Sequence, residues 1–291
     1  MKSRQGKAVF FAILAAALYA ASTPISKILL QKLPATFLAA LLYLGAGIGI
    51  SIVSMVEKRT SSPAEKPLER SDLVWVVLMV VLDIAAPIFL MLGLQRTAAA
   101  NASLLNNFEI VATSLIALLF FKEKISTRLW FAIALVTGAS IILSVEDASS
   151  FSFSTGSLLV LLASTCWGLE NNCTRNLSSK DPMQTVIIKG FGSGTGSLVI
   201  AFIIGQTAWD GLYIAIALVL GFVAYGLSIY FYIRAQRDLG AAKTSTFYAV
   251  SPFIGAALSF MILGEKVQWT YFLALAIMAA GAFLAAEDSK N

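Results

Sequence analysis

Residues 258–274 read LSFMILGEKVQWTYFLA, and residues 117–132 read ALLFFKEKISTRLWFA. In each, an apolar run breaks at a short charged turn and a second apolar run follows at once. The pair Glu123-Lys124 recurs as Glu265-Lys266, 142 residues later. Working outward, GLQRTAAANAS (93–103) is matched by RAQRDLGAAKTS (234–245), with one residue inserted. Gly45, Gly47 and Gly49 form a GxGxG run that returns as Gly192, Gly194 and Gly196, 147 residues on. Tyr19 and Lys27 are matched by Trp167 and Arg175, 148 residues on. Four matches at a nearly constant offset mean that the chain holds two copies of one unit.

The 291 residues are 58% hydrophobic and 13% charged. Soluble domains run to roughly 45–50% apolar and about 25% charged, so the composition points to a membrane. A spanning helix needs ~20 mostly apolar residues. Ten such runs are predicted, near 8–30, 34–56, 72–94, 97–121, 128–145, 156–177, 184–205, 211–233, 241–263 and 269–286. A transmembrane barrel is excluded, because its strands alternate over ~10 residues and these runs are twice as long and apolar on all sides. The expected fold is therefore all-α and integral to the membrane, with a first five-helix repeat at 8–145 and a second at 156–286.

Five spans per unit is an odd number, so the second copy must enter the bilayer from the opposite side. Lysine and arginine agree with that threading. If the loops alternate in side, one face receives Lys2, Arg4, Lys7, Lys58, Arg59, Lys66, Arg70, Lys122, Lys124, Arg128, Lys180, Arg234, Arg237 and Lys290. The other receives only Lys32, Arg96 and Lys266. The basic face is normally cytoplasmic, which puts both termini inside. The net charge of +5 reflects this bias. No basic patch is interleaved with exposed aromatics, so nucleic acid is not an expected partner. Oppositely threaded repeats are typical of secondary transporters, whose sites lie near mid-bilayer between the halves.

With these residues on the page, the chain resembles the drug/metabolite transporter superfamily, and its EamA-like ten-helix branch in particular. The resemblance rests on the five-plus-five arrangement and on YAASTPISK (19–27) and WGLENNCTR (167–175), each an aromatic followed by a basic residue eight positions later. It rests also on the proline of AVSPFIGAALSFMILGEK (249–266) and on a closing glycine-rich helix, and it covers about 8–286. It implies a metabolite carrier, often an exporter, of the bacterial inner membrane, with a central cavity lined by most helices except the fifth and tenth. One departure stands out. Where the second copy has Ser251-Pro252, the first has Glu109-Ile110.

Charge inside a bilayer costs ~2.5–3.5 kcal/mol per residue on insertion scales, so each ionisable residue in a span needs a reason. Lys27, Arg175 and Lys243 fall near helix ends, where they can snorkel. Asp83 and Glu109 fall near mid-depth, as sites for a proton or a substrate cation or as residues tied up by neighbouring amides. Asn106, Glu109 and Thr113 share one face of a continuous helix, opposed by Tyr248 and Ser251 in the second copy. Glu170 and Lys189 fall at equal depth on consecutive helices and are expected to pair, either as a structural or gating ion pair or in direct contact with substrate. Asn171, Asn172 and Trp167 lie beside them, and Tyr19, Trp167, Tyr225 and Tyr248 could bracket a flat ligand. Pro87 and Pro252 interrupt or bend their helices.

Other chemistry is thin. The GxGxG runs follow no strand and carry small-xxx-small spacing, so close helix packing is their expected role. Cys166 and Cys173 are about 10 Å apart along one helix, too far for a mutual disulfide. Histidine is absent. No metal cluster, cofactor motif or nucleophile–base pair is found, so neither enzyme nor cofactor is expected. The reading is a secondary active transporter of a small organic metabolite, amino-acid-like or cationic, working by alternating access with protons as a candidate coupling ion. A passive channel or a scaffold subunit is the alternative. Oligomeric state is not legible.

Overall fold

The apolar runs form helices, and their starts are set by short polar residues. Asp181 accepts from the amides of Met183 (2.8 Å) and Gln184 (3.3 Å), with Pro182 at the first helical position, where its missing N–H costs nothing. Asp210, Ser126 and Ser154 cap three further helices in the same way. The structure is a computed structural model describing residues 2–58, 67–122, 125–147, 152–177, 180–239, 244 and 247–288. The Glu123-Lys124 match, Lys243, and the loop charges Arg59, Lys66 and Lys290 lie outside those residues.

In chain order the helices are α1 (Lys2–Ala20), α2 (Ser22–Leu29), α3 (Ala35–Lys58), α4 (Leu73–Leu94), α5 (Ala99–Leu105), α6 (Phe108–Phe121) and α7 (Thr127–Ser144). They continue as α8 (Thr155–Arg175), α9 (Pro182–Ile203), α10 (Gly211–Leu220), a π-helical turn (Gly221–Leu227), α11 (Ser228–Leu239), α12 (Ser251–Leu263) and α13 (Trp269–Asp288). Among the described residues, eight helical stretches are long and apolar enough to cross a membrane. A short antiparallel hairpin, β1 (Val145–Asp147) with β2 (Ser152–Phe153), adds a strand pair that the all-helical reading did not include.

Four of the expected runs are not single α-helices among the described residues. The first is broken at Ala21 between α1 and α2. The fourth is broken at Asn106-Asn107 between α5 and α6. The eighth passes through the π turn, a wider i→i+5 turn of the kind frequent at functional sites. The ninth turns at 249–250 before α12 begins, and Pro252 sits in the first turn of α12, as a proline that starts a helix does. Pro87, by contrast, lies inside α4, which runs on from Leu73 to Leu94 without a break.

Packing pairs the two halves of the chain. α3 crosses α9 and α7 lies along α13. α4 packs on α8 as α1 packs on α11, and α6 packs on α8 as α1 packs on α12. Each pairing survives when every element is replaced by its counterpart in the other half. Single contacts do the same: a Cβ on Gly47 would stand 3.0 Å from the Phe191 nitrogen, and one on Gly194 2.7 Å from the Leu44 nitrogen, each residue moved by the 147-residue offset. The glycines permit the approach. A Cβ on Gly45 would lie 2.1 Å from the Leu218 carbonyl oxygen, and one on Gly221 2.0 Å from that of Leu42. Polar contacts also join the halves. The Lys180 ammonium is 3.1 Å from Glu69 and 3.0 Å from Asp72, at the start of α4.

Candidate functional site

The deepest charges converge where α3, α4, α8 and α9 meet. Asp83 on α4 is fully buried. Its Oδ2 lies 3.1 Å from the Lys189 ammonium on α9, and its Oδ1 accepts from the Tyr43 hydroxyl at 3.0 Å. Lys189 is shared: Glu170 Oε1 on α8 is also 3.1 Å away, and Glu170 accepts from the Thr174 hydroxyl as well. Ions in low dielectric carry a desolvation cost of several kcal/mol each, which only close pairing offsets. The triad holds two carboxylates against one ammonium.

Glu109 stands apart from that pairing. It lies in the first turn of α6, just past the break, where the helix dipole favours an anion. Its Oε1 accepts from the Asn171 amide on α8 at 2.6 Å, and the same amide is 3.4 Å from the Thr113 hydroxyl. Asn172 braces the contact by donating to the carbonyls of Thr113 (3.1 Å) and Gly168 (2.8 Å). Glu109 has no cationic partner among the described residues.

The break has a local cause. The Asn107 side-chain amide donates to the Leu104 carbonyl at 3.1 Å. Glu109 N bonds Asn106 O (3.1 Å) and Ile110 N bonds Asn107 O (3.0 Å), so i→i+3 bonds replace the i→i+4 ladder. One consequence corrects the sequence reading. Asn106, Glu109 and Thr113 do not present one helical face: Glu109 and Thr113 meet Asn171, whereas Asn106 lines a separate void with Tyr19, Ser103 and Ser251. Its free volume of about 10 Å³ is roughly the space of one water-sized group.

Tyrosines wall this region. Tyr19 contacts Tyr225 edge-on (5.7 Å between centroids) and Tyr248 at a tilt (6.1 Å), and Tyr43 contacts Tyr225 at 5.4 Å. Tyr248 is held 3.3 Å from Ser228, whose hydroxyl donates to the Ala15 carbonyl at 2.9 Å. Tyr225 lies on the π turn and is buried. Trp167 is buried in the same apolar core as Tyr43 and Tyr225.

One end of the bundle is clamped. Glu265, in the turn after α12, accepts from the amides of Ala99 (2.7 Å) and Ala100 (2.9 Å), the first residues of α5. Lys27 on α2 donates to the carbonyls of Leu94 and, at 2.8 Å, Thr97. The α4–α5 turn is thus gripped by a carboxylate and an ammonium at once. Lys27, expected to snorkel, instead covers the carbonyl end of α4.

A family model described as the EamA-like transporter family matches residues 6–145 and again 154–286. The chain belongs to the EamA-like transporter family. It is a multi-pass membrane protein of a transporter family. It is 27% identical to an uncharacterized transporter of Methanothermobacter thermautotrophicus, over 94% of this chain and 84% of that one. It is 26% identical to an uncharacterized transporter of Synechocystis, over 85% of this chain and 80% of that one. A solved crystal structure aligns over 97% of each chain with a TM-score of 0.69 at 15% identity, which shows a shared fold.

Asn172, marked from sequence beside Asn171, takes part in the geometry of this EamA-like chain; Tyr43, Thr174 and Ser103 take part without having been singled out from sequence, and Glu265 was marked only as half of a repeat match. Glu265 had a signal, since it belongs to the repeated Glu-Lys pair. Tyr43 had none, because an aromatic in an apolar run reads as packing.

Proposed function

We propose that the chain is a secondary active transporter of a small organic cation or amino-acid-like metabolite, working by alternating access and coupled to protons. In this reading ten spans form two inverted five-helix repeats, 8–145 and 156–286, with both termini on the cytoplasmic face of a bacterial inner membrane. Glu109 binds the proton or the substrate's cationic group in turn, and Asp83 assists. Asn106, Thr113, Asn171, Trp167, Tyr19, Tyr225, Tyr248 and Ser251 contribute the substrate pocket, and Glu170 with Lys189 act as a gating pair.

The observation that carries this is Glu109 itself: a carboxylate at an interrupted helix, bonded to an amide from the other half of the chain and, among the described residues, to no cation. A group so placed has a vacancy for positive charge, and its one partner is on an element that rocking would move. The doubled pairing of helices supports two related halves. The clamp by Glu265 and Lys27 supports a carrier closed at one end rather than an open pore.

Counterflow in proteoliposomes tests the reading. Labelled substrate should accumulate against unlabelled substrate on the far side, which a channel cannot produce. Glu109→Gln should abolish or uncouple this while the protein still inserts. Normal counterflow with an unchanged pH profile in that variant rejects the role of Glu109.

A further inference from the structure

The void beside Tyr19 is lined by polar atoms that have no partner. Ser103 Oγ on α5, Asn106 Oδ1 at the break and Ser251 Oγ on α12 are each without a hydrogen bond to the described residues. All three residues are more than nine-tenths buried, at 2%, 8% and 1% exposure. A buried polar atom left unpaired costs ~1–3 kcal/mol. Three around one void, from α5, the break after it and α12, make a set of contacts waiting for a ligand.

Their chemistry is uncharged. Among the described residues no lysine or arginine lines the void, and Lys189 is held between two carboxylates. The start of α12 is no anion cradle either. Pro252 has no N–H, and the amides of Phe253 and Ile254 both donate to the Val250 carbonyl at 3.1 Å. What remains is the two unpartnered hydroxyls of Ser103 and Ser251 and an amide oxygen, with Thr23 and Tyr19 also on the wall, suited to a group that both gives and accepts hydrogen bonds. Tyr19, which lines the void, also contacts Tyr248, and the carbonyl of Asn106 on the void's wall accepts from the Glu109 amide at 3.1 Å.

We propose that this void is a second subsite, which takes the uncharged hydroxyl end of a small hydroxylated amine whose ammonium is directed toward Glu109. Compounds that would put a carboxylate or phosphate there are excluded. The proposal rests on the carrier reading only for the role of Glu109.

Equilibrium binding to the purified full-length protein tests it, by thermal shift and calorimetry with two-carbon probes: ethanolamine, ethylamine, glycolate and O-phosphoethanolamine. Ethanolamine should bind at least about five-fold tighter than ethylamine, one net hydrogen bond's worth. Glycolate and O-phosphoethanolamine should not bind. Ser103→Ala with Ser251→Ala should bring ethanolamine down to the level of ethylamine and leave ethylamine unchanged. Equal binding of the two amines, binding of either anion, a ratio untouched by the double variant, or no binding by any probe overturns the subsite. Loss of counterflow with the ratio intact instead removes the carrier reading and leaves the subsite standing.

Discussion

The Lys189 ammonium lies 3.1 Å from the carboxylate of Asp83, and the two residues come from opposite halves of the chain. Glu170 takes the other side of the same ammonium at 3.1 Å. Removing Lys189 therefore strands two buried carboxylates. Lys189→Met should cost at least about 3–5 kcal/mol, the penalty of breaking a buried pair. The third partner also decides the outcome of a charge swap. Exchanging Glu170 and Lys189 would set a glutamate against Asp83, so the swap alone should not restore thermal stability in detergent. Adding Asp83→Asn should restore it. Recovery by the swap alone would show that Asp83 is not part of the unit.

The ends of α6 and α12 differ by one residue in the same backbone state. Lys122 has φ 54° and Gly264 has φ 60°, at matching places in the two halves. The left-handed conformation costs a non-glycine residue ~1–2 kcal/mol. Lys122→Gly should raise stability by about that amount, and Gly264→Lys should lower it by a similar amount. Paired melts of the two variants check this. A destabilised Lys122→Gly would mean that the lysine side chain contributes more than its backbone costs.

Helix crossings set a steeper test. Gly45→Val would drive a side chain into the Leu218 carbonyl, 2.1 Å from where its Cβ must go. Backbone on both sides leaves nothing to swing away. Size-exclusion profiles should show loss of the folded monodisperse peak. Gly138→Ala in α7, with nothing within 4 Å of the new Cβ, should elute as the parent does.

The clamp on the α4–α5 turn predicts accessibility. Glu265→Gln removes the charge that receives the Ala99 and Ala100 amides. Hydrogen bonds to a charged group are worth ~1.5–3 kcal/mol, so the population open at that end should rise about ten-fold or more. A Ser103→Cys probe, with Cys166 and Cys173 replaced by serine, should then react correspondingly faster with an impermeant maleimide. An unchanged rate means that the clamp does not govern opening.

The apolar runs and their doubling are legible in sequence because hydrophobic length and internal repetition are one-dimensional properties. The breaks are not. Proline marks the start of α12, but the equivalent start of α6 follows Asn106-Asn107, residues that a helix tolerates and that break it only through a side-chain bond to Leu104. Depth counting brings Glu170 and Lys189 to one level. It says nothing of which neighbour stands beside them, so Asp83 and Tyr43 needed coordinates. Lys27 reads as a snorkelling cation until its carbonyl partners, 67 and 70 residues away, are seen.

The Asn106-Asn107 break invites the most direct test of how the halves move. Asn107 diverts the Leu104 carbonyl, and the next two bonds span only three residues. Replacing both asparagines by alanine removes the diverting amide and supplies the strongest helix former. The i→i+4 ladder should then run unbroken from α5 into α6, carrying Glu109 away from the Asn171 amide. The variant should melt no lower than the parent, since it gains helix. It should also show slower amide exchange at Phe108 to Ile110 and lose counterflow. A straightened helix that still exchanges substrate at the parental rate would mean that the break is a packing accommodation, and that the rocking of the halves pivots elsewhere.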